Sequence, residues 1–275
     1  MEVVYSILLV FGAFLVGEII PQQLRRDKRN LIIGGKKILI TQAPYQAALF
    51  VNGGFICGGS IISARWILTA GHCLPGKAKD NRTVRVGSKL RNAGGVERKV
   101  LQAIRHPAYA ANESVVALHD IALLLLGEPL DFDGSHISCV TLPEKGEKLA
   151  VGSEGHVSGW GRTDLSAPVT DTLRAAYSTI LPFKQCQEAY TRYSLKVYEE
   201  EQYCIGDVGD DKGSCRGDSG GPFIVDRTIY GVVSWGQNCT DTNFPGVYTD
   251  VSTYVQWIRD TVASKSSPED LKCNA

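Results

Sequence analysis

"QAALFVNGGFICGGSIISARWILTAGHC", residues 46–73, sets the reading of the whole chain. Gln46–Val51, Phe55–Ser63 and Arg65–Thr69 are apolar or alternating runs of strand length, too short and too unbroken for amphipathic helices. The same pattern recurs at Val84–Gly87, Ile121–Leu126, Gly155–Trp160, Pro222–Val225 and Ile229–Trp235, between Gly, Pro and Asn punctuation. Many short strands of this kind predict an all-β sandwich or barrel. Only the C-terminus reads as helix: Val251, Tyr254, Val255, Ile258 and Val262 share one face, with Ser252 or Thr253 available as a cap. There is no tandem repeat and no low-complexity linker.

The chain has 275 residues, enough for one large all-β domain or two small units sharing a core. Its 29 basic and 29 acidic residues balance, so charge gives no case for a nucleic acid or a membrane surface as partner. The apolar run Val3 to Val16 has the length of a signal-peptide core and is too short for a comfortable membrane span. Small Gly17 can end it, although Glu2 replaces the usual basic start. The expected organisation is a signal peptide over 1–17, a polar, cysteine-free propeptide over 18–31 and a folded domain over 32–275. Eight cysteines fit an oxidising, extracellular compartment. Asn81 and Asn112 are expected glycosylation sites; the third sequon, at Asn238, has Cys239 inside it.

Three motifs carry chemistry: "LTAGHC" holds His72, "HDIALL" holds Asp120 and "GDSGGP" holds Ser219. A hydroxyl is a weak nucleophile until a base removes its proton. An imidazole does this near neutral pH, and a buried carboxylate fixes its tautomer. His, Asp and Ser occur in that order, behind "IIGG" at 32–35 and ahead of "VSWG" and "PGVY". On these motifs the chain resembles the chymotrypsin/trypsin family of serine endopeptidases, over nearly all of residues 32–263.

The resemblance implies two antiparallel six-stranded β-barrels, packed face to face, with a C-terminal α-helix. It assigns Ser219 as nucleophile, His72 as general base and acid, and Asp120 as orienting carboxylate. The N–H groups of Gly217 and Ser219 would form the oxyanion hole, and Ser234, Trp235 and Gly236 the edge that pairs with substrate backbone. It pairs Cys57 with Cys73, Cys186 with Cys204 and Cys215 with Cys239; Cys139 and Cys273 then remain for each other, or as free or intermolecular thiols. No cofactor and no metal is expected. The family's calcium loop looks shortened after Gly87-Ser88, and Glu97 alone cannot supply the several oxygens a hard cation wants.

Specificity is read from the same likeness. The base of the primary pocket falls on Gly213 and two wall positions on Gly236 and Gly246, an uncharged open slot for Phe, Tyr, Leu or Met. Asp211 and Lys212 nearby are expected to face solvent. Arg216 at the mouth either covers the Cys215–Cys239 bridge or favours acidic residues on the leaving side. In this family the mature chain starts at the first residue of "IIGG", here Ile32, whose amino group would pair with Asp218. The partners expected are protein or peptide substrates and protein inhibitors, for a secreted monomer with no membrane span in its mature form and no nucleic acid. Two rivals are a broad elastase-like or collagen-cutting protease and a protease homologue that only binds.

Overall fold

The computed structural model describes residues 35–74, 80–111, 117–206, 213–241 and 243–267. The expected signal and propeptide segments, Ile32, Asn112, Asp211, Lys212 and Cys273 lie outside the described residues.

The strands are β1 (Lys36–Lys37), β2 (Gln46–Val51), β3 (Gly54–Ser63), β4 (Trp66–Thr69), β5 (Arg82–Val86), β6 (Val96–Arg105) and β7 (Ala122–Leu126), followed by β8 (Glu154–Gly159), β9 (Arg174–Ile180), β10 (Gln202–Gly206), β11 (Pro222–Val225), β12 (Thr228–Trp235) and β13 (Gly246–Asp250). Two helices are α1 (Phe183–Thr191) and α2 (Val251–Ala263). The first barrel closes in the order β2-β3-β4-β7-β6-β5. In the second sheet β8 returns to β9, so β9-β10-β13-β12-β11-β8 also closes, and β1 is appended to β9. Both barrels are six-stranded and antiparallel, and closure pairs both edges of every barrel strand, leaving only the two-residue β1 with an open edge among the described strands.

Burial explains the closure. Trp66, Leu68, Leu123 and Leu124 fill the first barrel, in one apolar cluster that also takes Val251, Tyr254, Ile258 and Val262 from α2. Val157, Ile205, Phe223 and Tyr248 fill the second. Each fully buried side chain of this size contributes roughly 1.5–3 kcal/mol. The barrels meet without side chains between them at one point: a Cβ on Gly58 of β3 would lie 3.1 Å from the Cα of Gly221. That closeness brings the turn before β11 onto the first barrel.

The expected helix face of α2 is the buried one. The cap differs: Asp250, not Ser252 or Thr253, is the N-cap, and its carboxylate accepts the N–H of Ser252 at 2.9 Å. The helix α1 was not expected. Its nine residues bury only Cys186 and Tyr190, a pattern too short to show a period, and it is held by the Cys186–Cys204 bridge and the Tyr190 hydroxyl on the carbonyl of Pro245. Strand β6 also carried no clear signal, because none of its side chains is fully buried and four are charged.

Candidate active site

His72 sits on a single 3-10 turn, Gly71–Cys73, directly after β4. The Cys57–Cys73 disulfide ties this turn back to β3. Asp120 precedes β7 and is 1% exposed. Its Oδ2 accepts from His72 Nδ1 at 2.7 Å and from the Ser234 hydroxyl at 2.5 Å, and its Oδ1 accepts the His72 backbone N–H at 2.8 Å. The Asp120 carbonyl accepts the Thr249 hydroxyl at 2.8 Å. Ser234 and Thr249 belong to β12 and β13, so the second barrel grips both the carboxylate and the backbone carbonyl of a residue carried by the first. Burial alone would push the Asp120 carboxyl up; the hydrogen bonds and charge of His72 and the Ser234 hydroxyl outweigh it and hold the group below the ordinary carboxylate range. With Nδ1 facing Asp120, Nε2 is the other ring nitrogen; its contact is with Cys73 Sγ at 3.8 Å, and among the described residues no hydrogen bond joins it to Ser219, so the structure brings His72 and Asp120 together but does not close the third link.

Ser219 lies in a tight turn ahead of β11. Gly221 N–H donates to the Asp218 carbonyl at 2.8 Å, and Gly58 N–H of the first barrel to the Ser219 carbonyl at 2.8 Å. A Cβ on Gly220 would sit 2.2 Å from Thr69 Oγ1 and 3.2 Å from the Ala70 nitrogen. The residue after Ser219 therefore packs on the strand end that leads into His72. Gly217 has φ +101°, a region that favours glycine. Among the described residues no protein acceptor takes the N–H of Gly217 or Ser219, whereas those of Asp218, Gly220 and Gly221 are all bonded internally. Two unspent donors flanking a serine can stabilise negative charge on a carbonyl oxygen.

Asp218 is half-buried beneath this turn. Its oxygens accept the N–H of Gly161 at 2.7 Å and of Cys215 at 3.0 Å. A Cβ on Gly159 or Gly161 would come within 2.2 Å of the carboxylate, so both glycines keep its space clear. Burial pushes its pKa up to about 6, against those two hydrogen bonds. A cleft of about 260 Å³, part of it open solvent, is lined by Ser158, Arg174, Ala175, Gly213 and Asp218.

A second cleft of about 370 Å³, also partly open, is lined by Gly213, Ser214, Asp241, Phe244, Gly246 and Tyr248, among others. It contains the expected base and one expected wall. A Cβ on Gly236 would face the Cα of Gly246 across 3.8 Å, so these two glycines oppose each other. Sequence reasoning passed over Asp241, whose Oδ1 accepts the N–H of Asn243 at 3.0 Å and its side-chain amide at 2.8 Å. Trp235 ends β12, and the ladder shifts register between Val233 and Trp235, at Ser234. Arg216 is exposed, and its carbonyl accepts the N–H of Arg162 at 2.9 Å.

Cys186–Cys204 and Cys215–Cys239 are bonded as expected. Cys139 is also in a disulfide, with its expected partner Cys273 outside the described residues. Cys57, His72 and Cys73 cluster like metal ligands, but the two sulfurs are bonded to each other and leave only one donor. Glu97 is engaged by Arg85. Asn81 is exposed, whereas the Asn238 side chain accepts from the N–H and hydroxyl of Thr240.

The trypsin family model matches residues 32–258. The chain belongs to the trypsin family of serine proteases. It is 38% identical over 230 residues to trypsin 5G1 of Aedes aegypti, covering 83% of this chain and 84% of that protein. Trypsin alpha of Drosophila melanogaster is 35% identical over 259 residues, covering 94% and 98%. Neuropsin, a serine protease expressed in the limbic system of mouse brain, superposes with a TM-score of 0.74 at 33% identity, covering 82% of this chain and 98% of that one. This serine endopeptidase thus has the family's fold with glycine at the base of its candidate pocket.

Asp218 gives the full chain a pH signature. Its raised pKa means that its contribution to stability is fully present below about pH 4 and is lost as pH rises through about 6, on the order of 3 kcal/mol. Denaturant unfolding of the full chain and of Asp218→Asn at pH 4 and pH 7 should show the wild type losing stability relative to the variant as pH rises. A constant difference between the two would mean that the carboxylate does not titrate in that window.

Proposed function

We propose that this trypsin-family protease is a secreted zymogen that, once cut before Ile32, cleaves peptide bonds after large apolar residues. Ser219 attacks the scissile carbonyl, His72 Nε2 takes its proton and returns it to the leaving amine, and Asp120 holds the ring and stabilises its cation. The Gly217 and Ser219 N–H groups receive the oxyanion. The observation that carries the reading is the buried Asp120 with both oxygens spent on His72 and Ser234.

The neutral Gly213 base supports specificity for Phe, Tyr, Leu or Met. A side chain at Gly246 would collide with the Tyr248 ring at 2.7 Å, so glycine there keeps the slot open. Asp241 on the wall favours the broader-cutting alternative, because it places one carboxylate off the base. Replacing Gly213 by Asp should move cleavage toward Lys and Arg, at a cost of several kcal/mol to bury the new carboxylate unpaired. A peptide-library profile reads the outcome. A wild type that already prefers Lys and Arg contradicts the apolar slot.

The surroundings of Gly35 support activation by a cut before Ile32. Gly35 is buried against β9: its carbonyl accepts from Arg174 Nη2 at 2.6 Å, and a Cβ on it would sit 2.2 Å from the Ala175 carbonyl oxygen. The cleft beside it ends at Asp218. The three residues 32–34 span about 10 Å when extended, a length suited to carrying a freed Ile32 ammonium into that cleft. An ion pair there would offset the burial cost of Asp218 and order the turn that presents Gly217. A cut after Arg29 would leave Asn30 and Leu31 in the way. Leu31 suits the Gly213 pocket, so the protease should process itself or be processed by a similar enzyme. N-terminal sequencing of purified proenzyme should find Ile32 appearing at an accelerating rate, and never in Ser219→Ala unless active enzyme is added. A proenzyme that stays intact until trypsin is supplied removes self-processing but leaves the Ile32–Asp218 pair standing.

A further inference from the structure

His119, the residue before Asp120, has a left-handed backbone, φ 49°, although it is not glycine. Such a conformation persists only where surrounding contacts over-determine it. Here the contacts come from Glu201 ahead of β10 and Tyr254 on α2. Glu201 Oε2 accepts the His119 backbone N–H at 3.3 Å and lies 3.0 Å from Nδ1 of the same ring. The Tyr254 hydroxyl donates to that oxygen at 2.6 Å and stands 3.0 Å from His119 Nδ1. The His106 ring closes the other side, stacked on His119 at 5.2 Å and edge-on to Tyr254 and Trp257.

From these contacts we infer that His119, Glu201 and Tyr254 form a cross-barrel clamp that positions Asp120 and so sets the rate of the chemical step. The inference rests on the assignment of Asp120 as the orienting carboxylate. His119 touches neither substrate nor reacting atoms, so it is a positioning residue. Its leverage comes from adjacency. Asp120 must present Oδ1 to one nitrogen of His72 and Oδ2 to another while Ser234 holds Oδ2 from the far side. A small rotation of the 119–120 peptide would disturb all three bonds together. The neighbouring segment is gripped in the same direction, because Gln202 donates to the Ala117 carbonyl at 3.0 Å. Glu201 is itself fixed, its carbonyl accepting the Asp250 N–H at 2.8 Å. Since the dyad rides on the first barrel and Ser219 on the second, a tie between 119 and 201 fixes the height of His72 above the nucleophile.

The ionisable groups around the clamp are Glu201, Tyr254 and His106, with Asp120 and Asp250 behind them. Burial, then His119, push the His106 imidazole down against the opposing pull of Glu201, which keeps it a neutral stacking face. Burial and then Glu201 push the Tyr254 hydroxyl up, so it remains a donor. Glu201 is thus the carboxyl group of the cluster in direct contact with His119.

Three variants of the activated enzyme test the clamp. His119→Gly keeps the left-handed backbone free of strain and removes the ring. Glu201→Gln keeps the shape and an acceptor oxygen and removes the charge. Asp120→Asn is the comparator. With a chromogenic peptide amide and rates normalised to titrated active sites, His119→Gly and Glu201→Gln should each lower kcat tenfold or more with KM within twofold. The acid limb of the kcat/KM profile should move to lower pH, and the double variant should be no worse than the poorer single one, because the residues act as a unit. If kcat per titrated site stays within twofold in both single variants while Asp120→Asn is crippled, the clamp is structural and the inference fails. An unaffected Asp120→Asn would overturn the triad assignment as well.

Discussion

One buried carboxylate organises this molecule. Asp120 is taken out of water, which is costly for an anion, and the cost is offset by donors from both barrels: His72 from the first and the Ser234 hydroxyl from the second. Neither barrel alone satisfies it. The requirement therefore couples the docking of the two barrels to the orientation of the imidazole. A chain that fails to bring β12 and β13 against the turn before β7 leaves an unpaired buried charge and loses the site with the fold.

The second constraint is space. Gly58 and Gly221 let the barrels touch backbone to backbone, Gly220 lets the serine turn lie on Thr69, and Gly159 with Gly161 makes room for Asp218. These glycines lay the Ser219 turn on the strand end that precedes His72, and among the described residues the N–H groups of Gly217 and Ser219 have no protein acceptor. Asp218 is the expensive element. Its carboxylate sits buried on two backbone donors, and burial still dominates its ionisation. A group held in that state gains most from a cation arriving next to it, and this is the physical logic of the proposed activation by a new chain terminus.

Much of this was legible in the sequence because catalytic motifs place chemistry-bearing residues at fixed points on short strands. "LTAGHC" and "GDSGGP" mark the end of β4 and the start of β11 as well as His72 and Ser219, the proposed base and nucleophile. The strands Gln46–Val51 and Pro222–Val225 were bounded to the residue, since both are nearly all apolar between turns. What escaped has physical reasons. Helix α1 is stabilised by a disulfide and a tyrosine hydroxyl instead of a periodic face. Asp250 caps α2 from the last position of a strand, where an acid reads as strand or turn. Asp241 lines the pocket from a loop with no pattern of its own. His119 has no ligand spacing around it in the sequence, because its partners Glu201 and Tyr254 are 82 and 135 residues away.

The account stands on Asp120, His72 and Ser219 acting as one unit. The most direct test is labelling of the Ile32 form with a fluorophosphonate, followed by peptide mapping and by the labelling rate of Asp120→Asn. The account predicts one equivalent of label on Ser219 and a rate lowered about 10⁴-fold in the variant, because the imidazole then takes the wrong tautomer. Label on another residue, or equally fast labelling of Asp120→Asn, would contradict it.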